Sequence, residues 1–101
     1  MKYDKLVRDK IPEIIKKNGD VPKFHIASDS EYTKKLNEKL KEEVEEYLEN
    51  GAEEELADVL EVINSICENK KISLEELEKT RIEKAKSRGS FKKRIILDET
   101  N

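Results

Sequence analysis

The stretch from Glu42 to Asp58 constrains the fold most, because it predicts two amphipathic helices joined at Asn50-Gly51. Asparagine and glycine both accept the left-handed backbone conformation that ends many helices. A connection this short makes the two helices antiparallel neighbours. The sequence therefore predicts a helical hairpin, and the rest of the chain is interpreted around it.

Each arm of the predicted hairpin carries a pair of acidic residues spaced three apart. Glu43 and Glu46 lie on the first arm, and Glu55 and Asp58 lie on the second. A three-residue spacing places two side chains on the same helix face, one turn apart. The pairs are symmetric about the turn, so we expect Glu46 to face Glu55 and Glu43 to face Asp58. Four carboxylates would then converge on one patch.

The helical wheel places these acids at the border of the predicted core. The apolar residues of the two arms form two stripes: Leu36, Leu40, Val44, Tyr47 and Leu48 on the first, and Leu56, Val59, Leu60, Ile63, Ile66 and Cys67 on the second. Like charges held together raise one another's pKa, so such a cluster is costly unless a cation neutralises it. Divalent cations such as Mg²⁺ bind carboxylate oxygen. A metal site and a solvated acidic face are both consistent with this spacing.

Four helices are predicted in all, so the fold class is all-α. We place them at about 10–17, from 29 or 30 to about 49, at about 52–69, and from the Ser73 capping box to Arg88-Gly89. The Ser28-x-x-Glu31 and Ser73-x-x-Glu76 patterns are capping boxes that mark helix starts. Asp9 is expected either to cap the first helix or to orient Arg8. Cys67 is expected to be a core residue.

Two short segments are predicted to form a small β element beside the helices. Residues 23–26 alternate weakly, with Phe24 and Ile26 as inward candidates, and residues 94–97 are rich in branched apolar side chains. Such runs are typical of strands. We expect them to pair and to bring the C-terminal tail back over the domain.

The composition indicates a single domain, 1–101, with a thin core. Only 35% of the 101 residues are hydrophobic and 45% are charged. So little apolar surface predicts association into a homo-oligomer, a dimer or a tetramer. Since there is no apolar run long enough for a membrane span and no signal-peptide pattern, we expect a cytoplasmic protein.

Charge is divided unevenly along the chain. Residues 38–58 contain ten acidic residues against two lysines, whereas residues 79–94 contain eight basic residues against one glutamate. The acidic part suits metal cations and the basic part suits phosphates. A solvated basic helix that pairs with the acidic hairpin is the simpler alternative. The net charge of −3 and the scarcity of aromatic residues argue against nucleic-acid binding.

Three segments together resemble the MazG superfamily of all-α nucleoside triphosphate pyrophosphatases. The first is Glu43-x-x-Glu46 followed by Glu55-x-x-Asp58, set within Leu40-Lys-Glu-Glu-Val-Glu-Glu and Glu55-Leu-Ala-Asp58-Val-Leu. The others are the opening Tyr3-Asp-Lys-Leu-Val-Arg-Asp-Lys-Ile-Pro-Glu13 and the closing Arg88-Gly-Ser-Phe-Lys-Lys-Arg-Ile-Ile-Leu97. These two are similar to segments of the phosphoribosyl-ATP pyrophosphohydrolase-like branch.

The resemblance implies a Mg²⁺-dependent hydrolase that cleaves between the α and β phosphates of a nucleoside triphosphate or a phosphoribosyl-ATP-like nucleotide. It implies catalytic and metal-binding roles for Glu43, Glu46, Glu55 and Asp58. The opening segment would lie beside the nucleotide, so Lys5 and Arg8 are expected to bind substrate. Lys84 and Arg88 are expected to hold the leaving pyrophosphate, because cations bind phosphate oxygens.

A non-catalytic module is the alternative from a different class. In that interpretation the acidic hairpin and the basic tail serve self-association or a protein partner, and Mg²⁺ neither binds tightly nor stabilises the fold.

Overall fold

The computed structural model describes residues 3–101 and consists of four α-helices, whose connections have eleven, two and three residues in chain order. The helices are α1 (Ile11–Lys17), α2 (Asp29–Asn50), α3 (Glu53–Lys70) and α4 (Leu74–Arg88). The all-α prediction is confirmed, and every helix end falls within about two residues of its predicted position, which is the usual uncertainty of such ends. No described helix is long and apolar enough to cross a membrane.

Both predicted capping boxes lie where a helix begins in the structure. The Ser28 hydroxyl accepts a hydrogen bond from the Glu31 amide at 3.3 Å, and the Ser73 hydroxyl accepts one from the Glu76 amide at 3.1 Å. Each bond satisfies one of the amide groups that a helix start leaves without a partner. The sequence signal and the structure therefore agree at the start of α2 and of α4.

The turn between α2 and α3 depends on Gly51. This residue follows the last residue of α2 with φ +67°, and its amide donates to the Tyr47 carbonyl oxygen at 2.7 Å. A side chain at a positive φ is strained, whereas glycine adopts it freely. The chain therefore reverses within two residues, and α2 and α3 form the hairpin that the sequence predicts.

The core lies between α2 and α3, and it is small. Among the described residues the buried side chains are Leu36, Val62 and Cys67, together with Glu43. Cys67 is therefore a core residue, as predicted. Part of the predicted stripes lies outside this core, since Val44, Leu48, Leu56 and Leu60 are exposed. The two helices are rotated so that Glu43 lies in the seam between them.

The predicted β element is wrong, because residues 23–26 and 94–97 form no strand. Phe24 and Ile26 are exposed, as are Ile95 to Leu97. A two-stranded ribbon is marginal in water without further strands or a buried face. Arg94 also has φ +59°, which is outside the extended region. The C-terminal tail therefore has no partner in the described chain.

The helix α4 projects away from the hairpin. Among the described helices only α2 and α3 pack extensively against each other. The molecule measures 60 × 31 × 24 Å and has a radius of gyration of 18.0 Å. A compact domain of this length has a radius of gyration of about 13 Å. The single chain is thus an elongated body whose last helix is largely without a packing partner.

Candidate metal and phosphate site

Three of the four predicted carboxylates come together at the turn end of the hairpin. One oxygen each of Glu43, Glu55 and Asp58 lies within 4.8 Å of the other two. The three-residue spacing on α3 aligns Glu55 with Asp58, and the reversal at Gly51 brings Glu43 of α2 opposite them. The amide nitrogen Nδ2 of Asn50 lies 3.4 Å from Glu55 Oε1 and helps to orient that side chain.

Glu43 is the unusual member of this carboxylate cluster, because it is buried. Only 7% of the residue is exposed, and its Oε2 atom has no hydrogen-bond partner. The other oxygen, Oε1, lies 3.3 Å from Lys39 Nζ on the preceding helix turn. A buried polar atom left unpaired costs about 1–3 kcal/mol, and more when the group is charged. The Oε2 atom is therefore buried between α2 and α3 without a hydrogen bond, and no other group of the described chain compensates for this loss of free energy.

The pKa of Glu43 is raised above the ordinary value of 4.5 by several causes. Burial is the largest, since it disfavours the charged form, and the negative charge of the neighbouring Glu46 adds to it. Lys39 acts in the opposite direction without cancelling the effect. A bound cation would reverse this balance by favouring the charged carboxylate.

Glu46 is the fourth predicted ligand, and the structure places it beside the cluster rather than within it. Its side chain is close enough to Glu43 to raise the pKa of that residue. It is not part of the group of three oxygens. The predicted pairing of Glu46 with Glu55 is therefore replaced by a contact with Glu43 along α2.

The N-terminal segment supplies cations to the same end of the hairpin. Arg8 Nη2 donates to Asp58 Oδ1 at 2.7 Å, and Lys5 Nζ donates to Glu42 Oε1 at 3.1 Å. Burial raises the pKa of Glu42, but the contacts with Lys5 and Lys39 lower it by more, so the net shift is downward. The same contact with Glu42 raises the pKa of Lys5. Both predicted cations of this segment thus lie at the acidic face.

Asp9 has neither of its expected roles. The residue at the start of α1 is Lys10, and no side chain caps this helix. Arg8 is oriented by Asp58 across the chain and not by its neighbour. Pro12 lies in the first turn of α1, where its missing amide costs nothing and leaves one donor fewer for a cap to satisfy.

Lys84 and Arg88 are not brought to the carboxylates within one chain. Both lie exposed on α4, and among the described ion pairs none joins α4 to the hairpin. Their predicted place beside the leaving phosphate therefore requires a contact that a single chain does not make.

One residue of the site, Lys39, is missing from the sequence-based prediction. Lys39 contacts both Glu42 and Glu43, at 3.5 Å and 3.3 Å. Its spacing of three and four residues from these acids is the usual signal for helical ion pairs and could have identified it.

Comparisons with known proteins add little to this geometry. No protein-family profile matches the chain, and no solved structure matches it. A stretch of 41 residues is 51% identical to an uncharacterized protein of Mycolicibacterium smegmatis. That stretch covers 41% of this chain and 42% of the relative, so the chain spans less than half of that relative's length.

Proposed function

We propose that the protein is a Mg²⁺-dependent nucleotide pyrophosphohydrolase of the MazG-like type. The substrate class is a nucleoside triphosphate or a phosphoribosyl-ATP-like nucleotide, and the products are a monophosphate and pyrophosphate. The observation that carries the proposal is the buried, unpaired Oε2 atom of Glu43 in a cluster with Glu55 and Asp58. The resemblance of the three sequence segments supports the choice of reaction.

The donor set fits Mg²⁺ chemically. Hard divalent cations take oxygen ligands, and Mg²⁺ commonly uses a few carboxylates and completes its shell with water and substrate phosphate. Glu43 offers an oxygen that nothing else in the chain uses, and Glu55 and Asp58 are half-buried and lie on the same helix face. Occupation by a cation would also remove the cost of leaving Glu43 unpaired and charged. The residues present therefore fit the metal that the resemblance implies.

Glu46 has the position expected of a general base. Bound Mg²⁺ would neutralise phosphate charge and lower the pKa of a water ligand. Glu46 lies next to the cluster without belonging to it, so its carboxylate is free to accept a proton from the attacking water. The water oxygen would bond to phosphorus as the bond to the pyrophosphate oxygen breaks, and the released proton would pass to Glu46.

Arg8 and Lys5 would bind the phosphates. The Arg8 guanidinium has several donors, of which Nη2 is engaged by Asp58, so the remaining N–H groups can meet phosphate in a two-pronged geometry. Lys5 adds a second positive charge at the same face. Lys84 and Arg88 keep their proposed phosphate-binding role only if a second copy of the chain supplies them. The proposal accordingly includes a homo-oligomer, located in the cytoplasm.

The test is pyrophosphate release from a panel of nucleoside triphosphates and phosphoribosyl-ATP, with and without Mg²⁺, beside the Asp58→Ala protein. We expect Mg²⁺-dependent pyrophosphate that disappears in the variant. If no nucleotide is cleaved and Mg²⁺ gives no thermal shift, the proposal fails and the non-catalytic module becomes the better interpretation. A clear Mg²⁺ shift without cleavage would support the metal site and reject these substrates.

A further inference from the structure

Lys39 lies mostly out of water, which is unusual for a lysine. Its side chain is only 16% exposed, and lysine is rarely buried without a charged partner. The Nζ atom lies 3.3 Å from Glu43 Oε1 and 3.5 Å from Glu42 Oε2, so it has two carboxylate partners on the next turn of α2. Lys39 therefore joins a half-buried carboxylate at the edge of the hairpin to the buried carboxylate in the seam.

Support of the helix does not explain this placement. Lys41 and Glu45 have the same four-residue spacing on α2, but they are largely exposed and their charged atoms are 4.0 Å apart. Such pairs stabilise a helix only weakly, and lysine before glutamate is the less favourable order. A lysine on the exposed side of α2 would support the helix equally well. The shielded position of Lys39 therefore indicates a role that involves Glu43 itself.

The groups around Lys39 restrict its position. Glu42 accepts a hydrogen bond from Lys5 Nζ at 3.1 Å on one oxygen and faces Lys39 with the other. Positive and negative groups thus alternate along Lys5, Glu42, Lys39 and Glu43. The series ends in the seam at Glu43 Oε2, which has no hydrogen-bond partner. One oxygen of the buried carboxylate is engaged, and the other is left for a ligand.

We infer that Lys39 is a positioning residue, which engages Oε1 of Glu43 and thereby presents Oε2 to a divalent cation at the carboxylate cluster. The presence of that cation rests on the proposed function, whereas the contact rests on the geometry of α2. A glutamate side chain has several rotatable bonds, and orienting it beforehand removes an entropic cost from binding. Mg²⁺ requires a near-octahedral set of ligands, so its affinity is sensitive to their orientation.

The positive charge of Lys39 acts in the opposite direction, because it repels a cation at the cluster. Orientation and repulsion therefore have opposite effects on the affinity for Mg²⁺, and one substitution distinguishes them. Lys39→Met removes the charge and the contact but keeps a flexible, unbranched side chain. Dominant repulsion would make the variant bind Mg²⁺ more tightly, whereas the positioning role requires weaker binding.

The test is calorimetric titration of Mg²⁺ into metal-free protein, without nucleotide, at a temperature where circular dichroism shows every variant folded. We expect Lys39→Met to weaken binding about 10–100-fold, as is typical when a partner that orients a metal ligand is removed. Lys39→Arg keeps a positively charged donor and should retain most of the affinity. Lys35→Met is the matched control, since Lys35 is 19% exposed and pairs with Asp4 and Glu38, outside the cluster. Its affinity should equal that of the wild type.

A thermal-unfolding cycle in metal-free buffer tests whether Lys39 acts through Glu43. Lys39→Met should lower the Tm of the wild type, because it leaves both oxygens of a buried carboxylate without a partner. The same substitution should lower the Tm less in the Glu43→Gln background, where the buried charge is absent. Equal decreases in the two backgrounds would overturn the inference, since Lys39 would then act independently of Glu43.

The calorimetric outcomes separate this inference from the proposed function. Wild-type or tighter binding in Lys39→Met would reject the positioning role and leave the metal site intact. An equal loss in Lys35→Met would reject it too, because the effect would not be specific to Glu43. A wild type that binds no Mg²⁺ would overturn the metal site and the inference together. Weaker binding in Lys39→Met would support the inference even if no nucleotide is cleaved, a result that would reject only the reaction.

Discussion

Arg8 and Asp58 are 50 residues apart in sequence, yet Arg8 Nη2 lies 2.7 Å from Asp58 Oδ1. This ion pair holds the N-terminal segment against the end of the hairpin that carries the carboxylate cluster. It also joins a proposed phosphate-binding residue to a proposed metal ligand. In the proposed mechanism, substrate phosphate and Asp58 would share one guanidinium, so removal of that group should affect binding more than folding.

We expect Arg8→Ala to lower kcat/KM by about 10–100-fold, since a hydrogen bond to a charged group contributes about 1.5–3 kcal/mol. The free energy of unfolding should fall by less than about 1 kcal/mol, because this ion pair is largely exposed to solvent. Steady-state kinetics and urea denaturation measure the two effects. Lys16→Ala, an exposed cation at the end of α1, is the matched control. A loss of stability without a kinetic effect would make Arg8 a structural residue.

Glu46 and Glu45 provide a test of the proposed general base. We expect Glu46→Gln to lower kcat by about 10²–10⁴-fold, the range typical of general-base catalysis, while Mg²⁺ binding is retained. Glu45 is exposed on the adjacent position and contacts only Lys41, at 4.0 Å, among the described ion pairs. Glu45→Gln should keep nearly full activity. Equal losses in the two variants would refute the assignment of faces on α2.

The pKa of Glu43 predicts how stability depends on pH in metal-free buffer. Because the folded protein holds this proton more tightly than the unfolded chain, the contribution of Glu43 to stability is greatest below 4.5, the ordinary pKa, and is lost as pH rises through the raised pKa. Glu43→Gln removes the buried charge and leaves Lys39 with Glu42 as a partner. We expect the variant to be more stable by about 1 kcal/mol at pH 7, since a charged atom is no longer left unpaired.

Thermal unfolding of the wild type and Glu43→Gln across pH 4 to 8 would measure this difference. The two curves should converge at the acidic end and separate as the pH rises. A variant that is less stable than the wild type at pH 7 would show that the contact with Lys39 outweighs the cost of burial.

Replacing Gly51 should change the stability through the backbone conformation alone, without any side-chain contact. A Cβ atom at this position would meet nothing within 4 Å, so only the φ of +67° opposes a side chain. We expect Gly51→Ala to lower the free energy of unfolding by about 1 kcal/mol. Gly51→Asn should cost less, because asparagine tolerates the left-handed region better than other side chains. Chemical denaturation compares the two, and equal stability of the wild type and both variants would contradict this role of the turn.

Local signals in the sequence predicted most of the fold. The serines at the starts of α2 and α4 and the glycine at the turn act on their own neighbours, and these positions were predicted correctly. The helix spacing also brought three of the four acids together. Interactions of this kind depend on a few adjacent residues, so they can be read from the chain without its tertiary structure.

The rotation of α2 against α3 could not be predicted in the same way. The apolar stripes suggested a seam through Val44 and Leu60, but the structure places Glu43 in the seam and leaves those two side chains exposed. The side of a helix that faces its partner depends on all the segments that pack on the hairpin. These long-range contacts cannot be read from a single sequence. The contact between Arg8 and Asp58 is likewise long-range, and it was not predicted: the resemblance placed the opening segment beside the nucleotide but named no partner for Arg8 on α3.

The central claim is that the carboxylate cluster binds a divalent cation, and titration calorimetry of Mg²⁺ into the purified protein tests it most directly. We expect binding by the wild type and by Glu45→Gln, and loss of that binding in Glu55→Gln, since Glu55 supplies one of the three clustered oxygens. Affinity should fall as the pH is lowered, because the carboxylate ligands must be ionised. No binding by the wild type, or the same binding in all three proteins, would contradict the account.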